Sequence, residues 1–368
     1  MAANATTAIT TNAEFDKTTE ATAVAAAYSG SIKGRTILIT GVNKAGIGYG
    51  TAEAFASQAP QTLILAGRSK DKLQESKDGL DTKHPGINIR LLVVDLSSQA
   101  SVRAAGEEVR GWSSEDVSAI HLVVNNAGIM RHGESFDGPV PKTVDGIEDM
   151  FATNHLGHFL LINLIMPKIL NAAAQSERGS VRIINLSSSG TWVSPFRASD
   201  IAWEKPAADL PEKERPKYAM MKYAGMDVDE STAYIPTAAY GASKTCNILF
   251  SLGLNQKLFH KYGVLSLAVN PGEVKTELGR NTQSEWLDRM IKKREEMGLL
   301  FWKTTGQGAS TTLVAATDPK LTLPEDSGDG QFFSDCQAAK APEWAVDKEY
   351  AEKLWRQSED LVGQSFEP

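Results

Sequence analysis

Cysteine is almost absent: 368 residues hold two, Cys246 and Cys336, with no Cys-x-x-Cys spacing. That argues against a disulfide framework or a thiolate zinc site and fits a reducing compartment, for which the cytoplasm is the expectation. A surplus of positive charge is missing too. Lys and Arg number 38 against 45 Asp and Glu, a net charge of −7, so no nucleic-acid partner is expected. The longest apolar stretch, residues 159–170, is broken by Asn163, Pro167 and Lys168 and is too short to cross a bilayer, so no membrane span is expected. The first 29 residues lack the basic start and apolar core of a secretory signal and contain no arginine. Residues 1–30 are expected to be a flexible lead-in, with 16–28 able to form a helix.

What is present is a 42% hydrophobic chain, enough for a sizeable core. Strand-like runs at 36–40, 62–66, 89–95, 120–125, 181–186, 265–270 and 331–334 alternate with helical stretches at 48–58, 70–77, 98–110, 149–174, 240–262 and 307–316. Several strands, such as Leu122-Val123-Val124, are continuously apolar, as strands covered on both faces must be. The expected fold is α/β: a doubly wound, Rossmann-type, seven-stranded parallel sheet with helices on both faces. One catalytic domain is expected over 31–345, followed by a C-terminal helix and tail over 346–368.

Three local patterns carry chemistry. Tyr240-Gly-Ala-Ser-Lys244 puts a lysine one helical turn after a tyrosine, on the same face, where a cation can lower the phenol pKa. A glycine-rich turn, Thr40-Gly41-Val42-Asn43-Lys44-Ala45-Gly46-Ile47-Gly48, joins the first strand to a helix. Gly41 suits the tight turn, Gly46 and Gly48 admit a pyrophosphate with Ile47 between them, and the helix N-terminus that follows favours its charge. The second strand ends Ala66-Gly67-Arg68-Ser69, with no acid to hold a ribose 2′-hydroxyl and an arginine able to grip a 2′-phosphate, helped by Lys44. NADP(H) is therefore expected over NAD(H).

In this order, with Asn125-Asn126-Ala127-Gly128, Asn154, Ser187-Ser188 and Pro271-Gly272-Glu273-Val274-Lys275-Thr276, the motifs resemble the short-chain dehydrogenase/reductase family over roughly 33–337. Ser243-Lys244-Thr245-Cys246-Asn247 and Gln307-Gly308-Ala309 resemble its retinol-dehydrogenase and WW-domain-oxidoreductase-like branch, in fungal form. The chain departs from the family in having four residues, not three, between the first two glycines. The resemblance implies that Asp95-Leu96 meet the adenine edge, that Asn126, Ala127 and Gly128 back the adenine ribose, and that Pro271, Gly272, Val274 and Thr276 hold the carboxamide. It further implies that Ser188 orients the substrate oxygen, that Tyr240 moves the proton, that Lys244 binds the nicotinamide ribose, and that Asn154 holds a relay water. A locally bonded helix-interior residue is the competing reading of Asn154.

The proline-rich insertion at 190–238 is longer than the family pattern, and it and 276–305 (Trp286, Leu287, Met290, Met297, Leu299, Phe301) are expected near the substrate. The insertion repeats the Tyr-to-Lys spacing at Tyr218 and Lys222, but no long apolar helix follows. Its Glu212–Arg215 charge run is expected to be a solvated face, and Met220, Met221, Met226 and Trp192 line either a pocket or a packing surface. His155 and His158 sit at i, i+3 with no third ligand, so no metal is expected. The expected activity is NADP(H)-dependent interconversion of a carbonyl and an alcohol on a small apolar molecule, possible in secondary metabolism, by a monomer or homodimer. An NADP(H)-sensing binding protein without turnover is the alternative.

Overall fold

A computed structural model describes residues 10–131, 138–276, 285–298, 300–323 and 332–367, leaving the side chains of 285–287 aside. The expected positions Trp286, Leu287 and Leu299 and strand residue Gln331 lie outside what is described. The chain alternates β1 (Thr36–Thr40), α2 (Ile47–Ala56), β2 (Thr62–Gly67), α3 (Lys70–Lys83), β3 (Ile89–Val93), α4 (Gln99–Gly111), a one-turn α5 (Ser114–Val117) and β4 (Leu122–Asn125), after a short α1 (Ala21–Ala27). A long helix follows, α6 (Asp149–Phe151) running through a π turn (Ala152–Leu156) into α7 (Gly157–Ala173). Then come β5 (Arg182–Leu186), α8 (Tyr218–Tyr223), α9 (Pro236–Tyr262), β6 (Leu265–Asn270), β7 (Glu273–Val274), α10 (Glu285–Glu296), β8 (Trp302–Lys303), α11 (Thr305–Thr317), β9 (Phe332–Ser334), β10 (Gln337–Ala338) and α12 (Lys348–Val362).

The main sheet runs β10-β9-β6-β5-β4-β1-β2-β3. The seven strands from β3 to β9 are parallel, and β10 turns back antiparallel on β9. The sheet thus has eight strands rather than seven, because a two-residue turn at Asp335 and Cys336, both at positive φ, folds the chain onto its own edge. Such a short strand carries too little periodicity to be seen in sequence. The order reverses between β1 and β4, which opens a crevice at the carboxyl ends of those strands.

Leu38, Ile64, Val123 and Ile183 face α4, α7, α9 and α12, whereas Ile37, Ile39, Leu65, Val124 and Ile184 face α1, α2 and α11. The helix from Asp149 to Ala173 is, by length and composition, able to cross a membrane, and 72% of its most apolar window is buried in the fold. α12 closes the outside of this layer. Its Trp355 ring lies 5.0 Å from Phe159 and 6.1 Å from Phe250, and Ser358 Oγ is 2.8 Å from His155 Nε2.

The lead-in departs from expectation. Val24 and Ala25 are buried, Thr11 hydrogen-bonds the Asp318 carboxylate through both its amide and its hydroxyl, and the Tyr28 hydroxyl donates to the same group. The described part is therefore pinned across α11, not flexible; a buried carboxylate that gains three donors holds what composition alone reads as a tail.

Candidate active site

The crevice at the sheet's switch point is a cleft of about 1180 Å³. Its floor is shaped by glycines. Gly41 has φ +72°, and a Cβ there would stand 2.7 Å from the Ala127 backbone; one on Gly48 would stand 2.6 Å from Gly41 O and Asn126 Nδ2. No side chain fits at either point, so β1, α2 and the turn after β4 close into a cradle lined by backbone. Asn126 Nδ2 bonds Thr40 O at 2.7 Å and Gly41 O at 3.2 Å, locking the two turns together. The Asn43 Oδ1 in this turn is buried and has no hydrogen-bond partner among the described residues. A side-chain-free cradle at the first amides of α2 fits a phosphate-bearing cofactor, and Asn43 Oδ1, an acceptor, fits a donor such as a ribose hydroxyl rather than the phosphate itself.

Of the sequence-predicted cofactor residues, Gly41, Asn43, Gly46, Ile47, Arg68, Ser69, Asp95, Leu96, Asn126, Ala127, Gly128, Tyr240, Lys244, Pro271 and Thr276 line the cleft. Lys44, Gly48, Gly272 and Val274 are not among the lining residues. Lys44 points to Glu75 of α3 at 3.8 Å, so its expected help toward a 2′-phosphate is shared with a carboxylate. Gly272 has φ +80°, and its absent Cβ leaves room for the Lys303 stem at 2.9 Å. Lys303 is buried and ion-paired with Asp335 at 2.6 Å, which props the Pro271-Gly272 loop from beneath. Arg68 is exposed at the rim, and Ser69 caps α3 by accepting from Lys72 N. Asp95 turns inward on its own loop, accepting from Ser97 N and Oγ at 3.0 and 2.6 Å.

Tyr240 and Lys244 sit in the first turns of α9, which starts with Pro236 at its N-terminal end. Both are buried. Lys244 Nζ donates to Leu186 O at 3.1 Å and stands 5.8 Å from the Tyr240 ring centre. The Ser188 hydroxyl hydrogen-bonds Tyr240 and accepts from Gly190 N at 3.1 Å. Ser187 instead donates to the Lys244 carbonyl at 2.8 Å, so of the adjacent serines Ser188 is the one placed on the tyrosine. Asn154 Oδ1 accepts from Ile129 N at 2.7 Å, and its Nδ2 donates to Ile129 O and Ser243 Oγ. Its side chain is thus fully used as a clamp on the turn after Gly128, a partner that local sequence could not show.

One expectation reverses. Burial pushes the Tyr240 hydroxyl up to about 12, against the downward pull of the Ser188 hydrogen bond and with a smaller upward push from the Glu273 charge. Burial also pushes Lys244 down to about 8. Desolvation of these two buried groups outweighs their mutual effect, and the phenol lies above its ordinary value, not below it. At neutral pH the Tyr240 hydroxyl is protonated.

Beside Tyr240 the insertion builds an apolar wall. Trp203, Met221, Met226 and Tyr234 are buried with Met150, and Met290 of α10 packs against them. Met220 and Trp192 are exposed, Trp192 lying edge-on to Trp344. A polar knot holds the insertion: Arg197, buried, pairs with Asp200, donates to Ala233 O and Lys205 O, and stacks 4.0 Å over Trp203. The charge run is not simply a solvated face. Glu214 is buried and accepts from Ser199 N, Ser199 Oγ and the Tyr350 hydroxyl, because α12 folds back over it. The second Tyr–Lys pair stays apart from the cleft, with Tyr218 and Lys222 both turned to Glu230. His155 and His158 are buried, and no group of three metal-ligating side chains occurs among the described residues. Ile129, Met130, Arg131 and Thr153 also line the cleft. Sequence reasoning missed them, although three directly follow the Asn126-Ala127-Gly128 turn.

Glu148, at the edge of this wall, gives a pH-dependent prediction. It is 1% exposed and accepts from Tyr234 Oη at 3.1 Å and Phe151 N at 2.6 Å. Burial, aided by Asp149, raises it to about 7. The native state therefore keeps a proton that the unfolded chain loses above its ordinary value of 4.5. The stability this proton provides is full below pH 4.5 and is lost as pH rises through 7, a change of about 3 kcal/mol. Urea unfolding at pH 4.5 and 7.5 should show the wild type losing about that much relative to Glu148→Gln. A pH-independent difference between the two proteins would mean that Glu148 titrates normally.

The family model for short chain dehydrogenases matches residues 35–199. Over 258 residues the chain is 35% identical to the oxidoreductase fscI of Fusarium equiseti, covering 70% of this chain and 94% of that protein. It is 31% identical to mouse (Mus musculus) retinol dehydrogenase 12 over 337 residues, covering 91% and 89%. Among solved structures, it is similar to an uncharacterized protein from Mycobacterium paratuberculosis (26% identity, TM-score 0.59, covering 91% and 96%). An NADPH-bound carbonyl reductase from chicken fatty liver shares the fold (21% identity, TM-score 0.56, covering 84% and 99%).

Proposed function

The chain belongs to the short-chain dehydrogenase/reductase family, oxidoreductases of CH–OH and C=O groups, and from that premise we propose that it is an NADP(H)-dependent reductase of apolar ketones or aldehydes. The observation that carries this reading is the buried Tyr240–Lys244 pair in the lining of a glycine-cradled cleft, with half-buried Ser188 hydrogen-bonded to Tyr240 and Arg68 at the rim.

Bound cofactor would supply the hydride. The chain's own residues do the rest. Arg68, at a strand end without an acid, matches a 2′-phosphate and would repel nothing on it. Gly41, Gly48 and Gly128 leave the space that side chains would fill. Ser188 holds the substrate oxygen beside the Tyr240 hydroxyl, and Tyr240, still protonated at neutral pH, gives its proton to the oxygen as negative charge develops there. Lys244, positive below about pH 8, stabilises the tyrosinate left behind. A phenol held near 12 is in the protonated form that carbonyl reduction uses at neutral pH.

Ile129 and Met130, which line the cleft and pack against the buried cluster of Met150, Trp203, Met221 and Met226, support an apolar substrate, and the name of the retinol dehydrogenase relatives points to the same class. A cytoplasmic enzyme of secondary metabolism, with its apolar helix serving as core rather than as a membrane span, completes the proposal. NADPH consumption should be measured against a panel of apolar ketones, aldehydes and quinones, with NADH in parallel. Turnover preferring NADPH is the expected result; turnover only in the presence of NADH would overturn the cofactor assignment, and none with any carbonyl would overturn the reductase reading.

A further inference from the structure

His158 lies one helical turn beyond Asn154 and is 1% exposed. Its Nε2 is 2.8 Å from Thr40 Oγ1, and its Nδ1 is 3.1 Å from the Asn154 carbonyl oxygen. A carbonyl only accepts, so Nδ1 carries the hydrogen; Nε2 of the neutral ring then accepts the Thr40 hydroxyl hydrogen. Thr40 Oγ1 in turn accepts from Ala127 N at 3.0 Å. Four groups thus form one directed chain: Ala127 N–H to Thr40 hydroxyl, Thr40 hydroxyl to imidazole, imidazole to Asn154 carbonyl.

The ends of this chain matter. Thr40 immediately precedes Gly41, whose left-handed backbone touches Ala127, and these two turns floor the cleft. Asn154 sits inside the π turn, where Gly157 N reaches back five residues to Ala152 O and the regular helix ladder is shifted. Its side chain clamps both polar groups of Ile129 and bonds Ser243 in the first turns of α9. A Cβ on Gly128 would lie 3.1 Å from Asn154 Oδ1 and 3.2 Å from Lys244 Nζ, so this clamp borders the catalytic lysine. Burial keeps the ring neutral, pushing it down to about 4, with the Lys244 charge adding to that push.

We propose that His158 is a positioning residue: its neutral imidazole ties the Thr40–Gly41 cofactor turn to the Asn154 π turn, holding the cradle and the catalytic lysine in register. This rests on the reading of the cleft as an NADP(H) site. Helix α7 could bury a leucine at this point without polar cost, but then the Thr40 hydroxyl would keep only the longer 3.5 Å contact to Val124 O and the Asn154 carbonyl would lose its imidazole donor.

The test is a double-mutant cycle of His158→Leu and Thr40→Val, reading the NADPH dissociation constant by fluorescence and the KM values for NADPH and carbonyl separately. Leu164→Ala, on the same helix but packed against Gly106 of α4, serves as a control that lowers stability away from the cleft. Each single variant should weaken NADPH binding about tenfold, and the double variant should be no worse than the poorer single. The KM for NADPH should rise while that for the carbonyl stays put, His158→Gln should recover part of the loss, and the control should leave NADPH affinity within about twofold. Unchanged affinity in folded His158→Leu, losses that multiply in the double variant, or an equal loss in Leu164→Ala would each overturn the proposal. Should His158→Leu fail to fold, Thr40→Val against Thr40→Ser decides: a loss in the valine variant alone supports the tie, and equal affinities refute it. A failure of the cofactor reading looks different, since wild-type protein itself would not bind NADPH, and this proposal would fall with it.

Discussion

Replacing Tyr240 with phenylalanine is expected to lower kcat/KM for NADPH-linked carbonyl reduction by about 10²–10⁴-fold, the range of a lost general acid. The change removes one oxygen from a site that is otherwise intact, so folding should be little affected. Ser188 loses its hydrogen-bond partner but stays anchored by Gly190 N. Lys244 keeps its bond to Leu186 O and still faces the cleft, so NADPH affinity should change far less than kcat. Tyr218→Phe makes the matching control: its hydroxyl points to Glu230 O at 3.5 Å, and turnover should stay within about twofold of wild type. If Tyr240→Phe kept a tenth or more of the activity, the proton would come from another group and the assigned chemistry would be wrong.

The second large effect concerns cofactor choice. Arg68→Glu takes away the guanidinium at the end of β2 and puts a carboxylate near a 2′-phosphate. A hydrogen bond to a charged group contributes about 1.5–3 kcal/mol, and the added repulsion works in the same direction. The ratio of kcat/KM for NADPH over NADH should therefore fall by about 10²–10³-fold. Most of that fall should appear as a higher KM for NADPH, since Arg68 is remote from the reacting atoms. The residue is exposed, so stability should hardly move. A ratio that shifts less than about threefold would place the phosphate elsewhere, with Lys72 on the same rim the next residue to test.

What could be read in the sequence was what is local. The strands β1 and β4 carry continuous apolar runs, Ile37–Ile39 and Leu122–Val124, because both faces are covered, and such runs need no knowledge of their neighbours. The Gly41–Gly48 turn and the Tyr240–Lys244 spacing are also local, since a backbone conformation or a single helix face specifies them. What stayed hidden depends on distant partners. Nothing near Glu214 in sequence announces Tyr350, and nothing near Thr11 announces Asp318. Arg197 reads as a surface residue until Trp203 and Asp200 are seen closing over it. The effect of burial on Tyr240 belongs to the same class. Spacing shows that a lysine is within reach, but only the packed site shows that desolvation dominates both groups.

The π turn lies between these cases. The Asn154-His155-Leu156-Gly157-His158 stretch has a helical pattern, and its Asn was expected at the site by resemblance. The shift in the ladder, and the use of His158 to meet the Asn154 carbonyl, come from the way this helix docks against the end of β1.

The central claim, that this cleft is a working NADP(H) site, is tested most directly by calorimetric titration of the wild-type protein with NADPH and with NADH. One NADPH should bind per chain, with NADH weaker by about tenfold or more. Equal affinity for the two, or binding of neither, would contradict it.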